Sequence, residues 1–278
     1  MTPELTTLLL KTELPQREIG EGGFEISVRG GRRRNHVAEV REVGDGFMRV
    51  VAPLPELPTR FGKGRGRDVI LASLLRTSYR ASYAKAISLE SGGLALAVDS
   101  PLAVLDAPSM RGLFLSVITL ADIKGRRLMG EKWWDESWQR SLDQLLLNVP
   151  LDEDQALRDA AAIFEARGVR VEETERGLLV AELEHDEMLF TVLIRARNAT
   201  LSLAVYPNLP PVRPAQFGEN FMTHLLELNA KAIVAKLGVD ANGEIWFLYH
   251  VPRLVPELVD HAIAEFASLH EALGELLP

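Results

Sequence analysis

The feature that most constrains this chain is an internal repetition. Laying residues 74–101 over residues 225–252 matches Leu74, Leu75, Ala81, Ala84, Lys85, Gly92 and Pro101 with Leu225, Leu226, Ala232, Ala235, Lys236, Gly243 and Pro252, without a gap. The side-chain pattern agrees as well. Leu94, Leu96 and Val98 alternate on one face of a strand, and Ile245, Phe247 and Tyr249 do the same at the matched positions. Self-similarity at a fixed offset marks two copies of one structural unit. The sequence therefore predicts a tandem duplication, with one domain over residues 1–121, a connector over 122–150 and a second domain over 151–278.

A chain of 278 residues that is 47% hydrophobic can furnish a core for each copy. It has no cysteine, which rules out disulfides and thiolate metal sites and fits a reducing compartment. The stretch from Met1 to Leu14 lacks a basic start and a long apolar run, so it does not read as a secretory signal. The most apolar run, Gly112 to Ala121, is about half a bilayer span. A cytoplasmic protein without a membrane segment is expected. The net charge of −8 is unevenly divided, about +3 over residues 1–150 and −11 over the rest. Arginines gather at Arg29, Arg32, Arg33 and Arg34 and again at Arg60, Arg65 and Arg67, with Lys63 among the latter. Such asymmetry marks a candidate electrostatic partner site.

In chain order the periodicities predict a helix over 3–11 and an antiparallel meander over 23–29, 35–43 and 46–52. Next come a long Pro/Gly loop over 53–67, a helix over 68–79, a hairpin of 83–90 with 93–100, and a helix over about 107–120. Trp134, Trp138, Leu142, Leu145 and Leu146 share one helical face, which predicts an amphipathic helix over 131–147. The second copy repeats the order. A capped helix starts at Asp152 with Gln155 three residues on, and four strands follow over 169–174, 178–183, 188–195 and 200–206. A helix after Pro214 carries Phe217, Phe221, Leu225 and Leu228, and a hairpin of 232–239 with 244–251 precedes a last helix from Pro256. The expected fold class is α+β, each domain an antiparallel sheet with helices on one face.

This order of helix, strands, helix, hairpin and helix resembles the YbjN-like domains and the class I type III secretion chaperones. The residues that carry the resemblance are Leu225, Leu226, Asn229, Ala230 and Lys231, then Gly243 to Tyr249, then Val251 and Pro252. In the first copy they are Leu74 to Arg80, Gly92 to Val98, Ser100 and Pro101. The resemblance implies self-association and the binding of a partner protein, with no catalytic residues. Secretion chaperones are small single domains that dimerise. A homodimer is therefore expected, with an intramolecular pseudo-dimer as the alternative, since two domains in one chain can replace that dimer.

Motifs for chemistry are sparse. The six histidines show no metal-ligand spacing, and no metal or cofactor is expected. His250 has the parity of Trp246 and Leu248, opposite to Ile245, Phe247 and Tyr249, and reads as structural; His224 reads as a helix-surface residue. The run Gly62-Lys63-Gly64-Arg65-Gly66-Arg67 lacks the spacing and the hydroxyl of a phosphate loop. No nucleophile elbow is present. The candidate partner-binding residues are therefore Trp133, Trp134 and Trp138, whose type dominates interface energetics, and the basic Arg32, Arg33, Arg34, Arg65 and Arg67. The expected function is non-enzymatic binding of another protein. The alternative is sequence-independent contact with nucleic-acid phosphates through the arginines, opposed by a pI near 5.4 and by the lack of interleaved aromatics.

Overall fold

The β segments pair into two six-stranded antiparallel sheets, each built by one copy of the repeat. The computed structural model describes residues 3–20, 22–29, 35–44, 46–56, 65–128, 152–185, 187–197, 200–207, 209, 211, 214–251 and 253–276. The first copy runs α1 (Pro3–Lys11), β1 (Gln16–Ile19), β2 (Gly23–Arg29), β3 (Asn35–Val43), β4 (Phe47–Pro53), α2 (Arg65–Arg80), β5 (Ala84–Ser88), β6 (Leu94–Pro101) and α3 (Ala107–Leu128). The second runs α4 (Glu153–Glu165), β7 (Val171–Glu175), β8 (Leu178–His185), β9 (Met188–Arg197), β10 (Thr200–Val205), α5 (Pro214–Lys231), β11 (Lys236–Val239), β12 (Ile245–Val251) and α6 (Pro256–Gly274). Strand order is β1-β2-β3-β4-β6-β5 in one sheet and β7-β8-β9-β10-β12-β11 in the other, the same topology twice.

Local chemistry explains the shared elements. Asp152 caps α4 by accepting the Gln155 N–H at 3.0 Å, as the sequence predicts. Both hairpins turn at a glycine with positive φ, 80° at Gly92 and 89° at Gly243, which explains why the identity is kept at that pair. Helix α3 lies across β3, β4 and β6 beside α1, and α4 and α6 cover the second sheet. Leu5, Ile26, Val50, Leu96 and Phe114 fill the first core and Phe164, Ile194, Phe247 and Phe266 the second, each at most 1% exposed.

Four details depart from the sequence reading. Strand β1 carries no alternating apolar signal; pairing with β2 creates it, and Arg17 bonds Glu25 across the pair. The loop expected over 53–67 is trimmed at both ends, because Pro53 completes β4, the Leu54 N–H donates to the Leu94 carbonyl at 2.8 Å, and α2 begins at Arg65. Helix α3 continues to Leu128, into the expected connector. Helix α5 is kinked at Gly218, where φ is 68°.

The two copies pack on each other through their middle elements. Helices α2 and α5 lie against one another, and each crosses to the other copy's edge strand, α2 onto β11 and α5 onto β5. Both faces of the β5–β6 hairpin are consequently buried, one by its own core and one by the opposite copy. The hydrophobic core is continuous from Leu5 to Leu273 across this seam. Packing there is complementary in size. Tyr79 of α2 meets Gly238 of β11, whereas its counterpart Ala230 of α5 meets Ile87, Ala95 and Ala97. A Cβ at 238 would lie 2.6 Å from the Tyr79 Cα and 2.7 Å from its nitrogen, both backbone atoms. Gly238→Ala is therefore expected to destabilise the fold by about 1–3 kcal/mol, as overpacking does. Gly274→Ala, which meets open space, should stay within about 0.5 kcal/mol in the same urea-unfolding measurement.

Candidate functional site

A buried polar cluster lies at the centre of the seam, where the two copies exchange side chains. It starts from two facts of sequence: Lys85, one residue into β5, and Lys236, at the start of β11, stand at matched positions, and their parity points them away from their own cores. Each side chain is taken up by the opposite copy. Lys236 Nζ donates to the carbonyls of Ala81, Ser82 (3.2 Å) and Ala84 (3.3 Å), and Lys85 Nζ donates to those of Ala232 and Ala235 (3.4 Å). Ala81 and Ala232 immediately follow α2 and α5, so each amine caps the C-terminal end of the other copy's helix, where unpaired carbonyls and the helix dipole favour a cation. Both lysines are under 5% exposed. Burial pushes the Lys85 amine below its ordinary pKa, opposed by Asp99 and reinforced by Arg49.

Around this clasp the copies diverge. In the first, Asp99 of β6 is held bidentately by Arg49, Nε to Oδ1 at 2.6 Å and Nη2 to Oδ2 at 2.9 Å, and lies 2.5 Å from Lys85 Nζ. The Arg49 guanidinium continues across the seam to the Ala230 and Ala232 carbonyls. At the position matched to Asp99 the second copy has His250, and where Arg49 pairs with Asp99 in the first ladder, Ser202 pairs with His250 in the second. The Thr200 hydroxyl lies 3.2 Å from the Tyr83 hydroxyl of the first copy. Asn229, with no exposed surface, accepts the Leu237 N–H at 2.6 Å and donates to the carbonyls of Leu237 (3.0 Å) and of Ala86 across the seam (3.1 Å). Its counterpart Ser78 makes the equivalent bond within its own copy, accepting the Ala86 N–H at 2.8 Å. Glu265 of α6 accepts the N–H groups of Ile233, Val234 and Ala235 at 2.6–2.8 Å, closing the loop that carries two of these carbonyls.

A narrow cleft, little larger than a water molecule, opens onto the cluster and is lined by Tyr83, Lys85, Asp99, Lys236 and His250. An ammonium group has three protons. Lys236 gives its three to three carbonyls, and Lys85 gives its three to two carbonyls and Asp99. Neither offers a free amine for nucleophilic or base chemistry, so the arrangement acts as an internal clasp. Among the described residues no group of three His, Asp or Glu side chains is placed to hold a metal ion, and no helix is long and apolar enough to cross a membrane.

The residues singled out from sequence are placed elsewhere. Trp133, Trp134, Trp138, Arg32, Arg33 and Arg34 lie outside the described residues. Arg65 is the first residue of α2, and Arg67, two residues on, forms an ion pair with Glu219 of α5 at 2.8 Å across the seam. Arg67 thus belongs to the contact between the copies. His224 is a half-exposed helix residue beside Glu227, as expected. The seam residues Arg49, Asp99 and Asn229 were not read as a site. The available signal was the retention of a charged pair, Lys85 and Lys236, among otherwise apolar identities. No family model matches the chain, and no curated protein or solved structure matches it.

Removing Asp99 would leave Arg49 and Lys85 buried without a carboxylate. Asp99→Ala should lower stability by about 3–5 kcal/mol, the range for breaking a buried ion pair on one side. Glu25→Ala, which breaks the exposed Arg17–Glu25 pair, should change it by under about 1 kcal/mol in the same denaturation assay.

Proposed function

We propose that the chain is a non-enzymatic protein-binding module, a pseudo-dimer of two YbjN-like or secretion-chaperone-like domains that holds a partner protein on its outer surfaces. The observation that carries this reading is the disposition of strand edges. The inner edges β5 and β11 face the seam, while β1 and β7 are the terminal strands of their sheets and pair on one side only among the described residues. An open edge strand supplies a row of backbone donors and acceptors to which an extended segment of another chain can add. Self-association follows the same logic. The surface by which single domains of this type would dimerise is the one that the two copies use on each other, so the reading assigns a pseudo-dimeric monomer of 30.8 kDa in place of a homodimer. The reading also gives the Trp-bearing segment over 133–138 to the partner interface. The nucleic-acid alternative loses Arg67 to its bond with Glu219 and rests on arginines whose side chains lie outside the described set.

The test combines capture with blocking. A tagged chain should retain a partner protein at near-equal stoichiometry. Glu173→Pro in β7, or joint Trp133, Trp134 and Trp138→Ala substitution, should weaken that retention by at least tenfold while the variant keeps its circular dichroism spectrum. Retention unaffected by both variants, or no stoichiometric partner, would remove the reading.

A further inference from the structure

We propose that His250 makes the seam between the two copies sensitive to pH, so that acidification below about pH 6.5 weakens the clasped state. The inference stands on a break in the pseudo-symmetry. Where the first copy sets the Asp99 carboxylate against Lys85, the second sets an imidazole against Lys236. His250 Nδ1 is buried and has no hydrogen-bond partner among the described residues, and the ring lines the cleft at the centre of the seam. In the neutral form this is tolerable. A proton on the ring would create a second cation beside Lys236, in a narrow cleft where Nδ1 is buried.

The groups facing the ring offer it no relief. From β11 comes Lys236, and from β5 comes Lys85, both cationic and both with their protons engaged. From β6 comes Asp99, whose Oδ1 is taken by Arg49 and whose Oδ2 is shared by Arg49 and Lys85. The turn before β5 contributes the neutral Tyr83 and Ser82. On the neighbouring strand β10, Ser202 pairs with His250, and the next residue along that row is Arg195 of β9, again a cation. Glu265 of α6, whose charge reaches Lys85, already accepts three backbone N–H groups. Burial first, and the Lys236 charge second, hold His250 well below its ordinary pKa of 6.5.

The sign follows from linkage. Above pH 6.5 the ring is neutral whether the chain is folded or unfolded, and it contributes nothing to the pH dependence. Below 6.5 the unfolded chain takes up the proton that the folded seam refuses, so stability falls as pH falls. One proton gives up to a tenfold loss in the folded-to-unfolded ratio per pH unit until the folded-state pKa is reached. A difference between wild type and a variant at 250 isolates the His250 contribution.

The experiment is urea unfolding of the full chain from pH 8 to pH 5, for wild type, His250→Asn and His250→Asp. Relative to wild type, both variants should become more stable by up to tenfold in the folding equilibrium for each pH unit below 6.5. The Asp variant restores in the second copy the carboxylate opposite lysine found in the first. A wild-type-minus-variant difference that is constant with pH would overturn the proposal. Should the variants not fold, the imidazole resonances of wild-type His250, assigned through the backbone, decide it. A ring that remains neutral at pH 5.5 in the folded chain is expected, and one that titrates at or above 6.5 overturns the proposal.

Discussion

The rest of the structure depends on a reciprocal exchange in which each copy buries a lysine and the other copy supplies the carbonyls that make this burial tolerable. Taking an ammonium ion out of water is unfavourable by several kcal/mol unless its protons are matched. A helix C-terminus has the complementary defect, carbonyls with no partner further along the helix. Lys85 at the end of α5 and Lys236 at the end of α2 resolve both defects at once, and do so only when the copies are together. Each copy alone would hold an exposed lysine, an uncapped helix end and an uncovered hairpin face. The continuous core and the size match of Tyr79 with Gly238 follow from that mutual dependence.

Duplication within one chain leaves the two halves of such an interface free to diverge, and these have done so around an unchanged centre. The first copy reinforced its lysine with Asp99 and the cross-seam guanidinium of Arg49. The second carries His250 and Ser202 at those places and an Asn229 that reaches across to Ala86. A single domain pairing with itself cannot bear two different polar designs at one interface, whereas a tandem pair can. The asymmetry also reaches the surface, where the second copy holds the acidic excess and its outermost strand, Val171–Glu175, includes three glutamates.

Much of this was legible in the sequence. The offset that lays Leu74 on Leu225 located both hairpins, both middle helices and the shared topology, because each retained identity does structural work. Leu74, Leu75, Leu225 and Leu226 are core residues at 1% exposure or less, the alanine positions present the carbonyls, and Gly92 and Gly243 turn the hairpins. The parity of β12 placed His250, Trp246 and Leu248 on one face, and Trp246 does meet Tyr79 of the other copy. What stayed hidden is physical in kind. Strand β1 has no periodicity of its own and exists through its ladder with β2. The Arg49–Asp99 pair is fifty residues apart in sequence, and a lone arginine in a strand gives no sign of a partner at that distance. The identity of Lys85 with Lys236 was visible, but a buried lysine is unexpected from composition, so its meaning required the opposite copy.

The central claim is that the clasp makes the two copies one cooperative unit. Residue-resolved hydrogen exchange on Lys236→Met tests it most directly, because that change removes a cation from the second copy and leaves the Ala81, Ser82 and Ala84 carbonyls of the first unsatisfied. The account predicts that amides in β5 and β6 lose protection by as much as those in β11 and β12. Loss confined to β11 and β12, with the first copy unchanged, would contradict it.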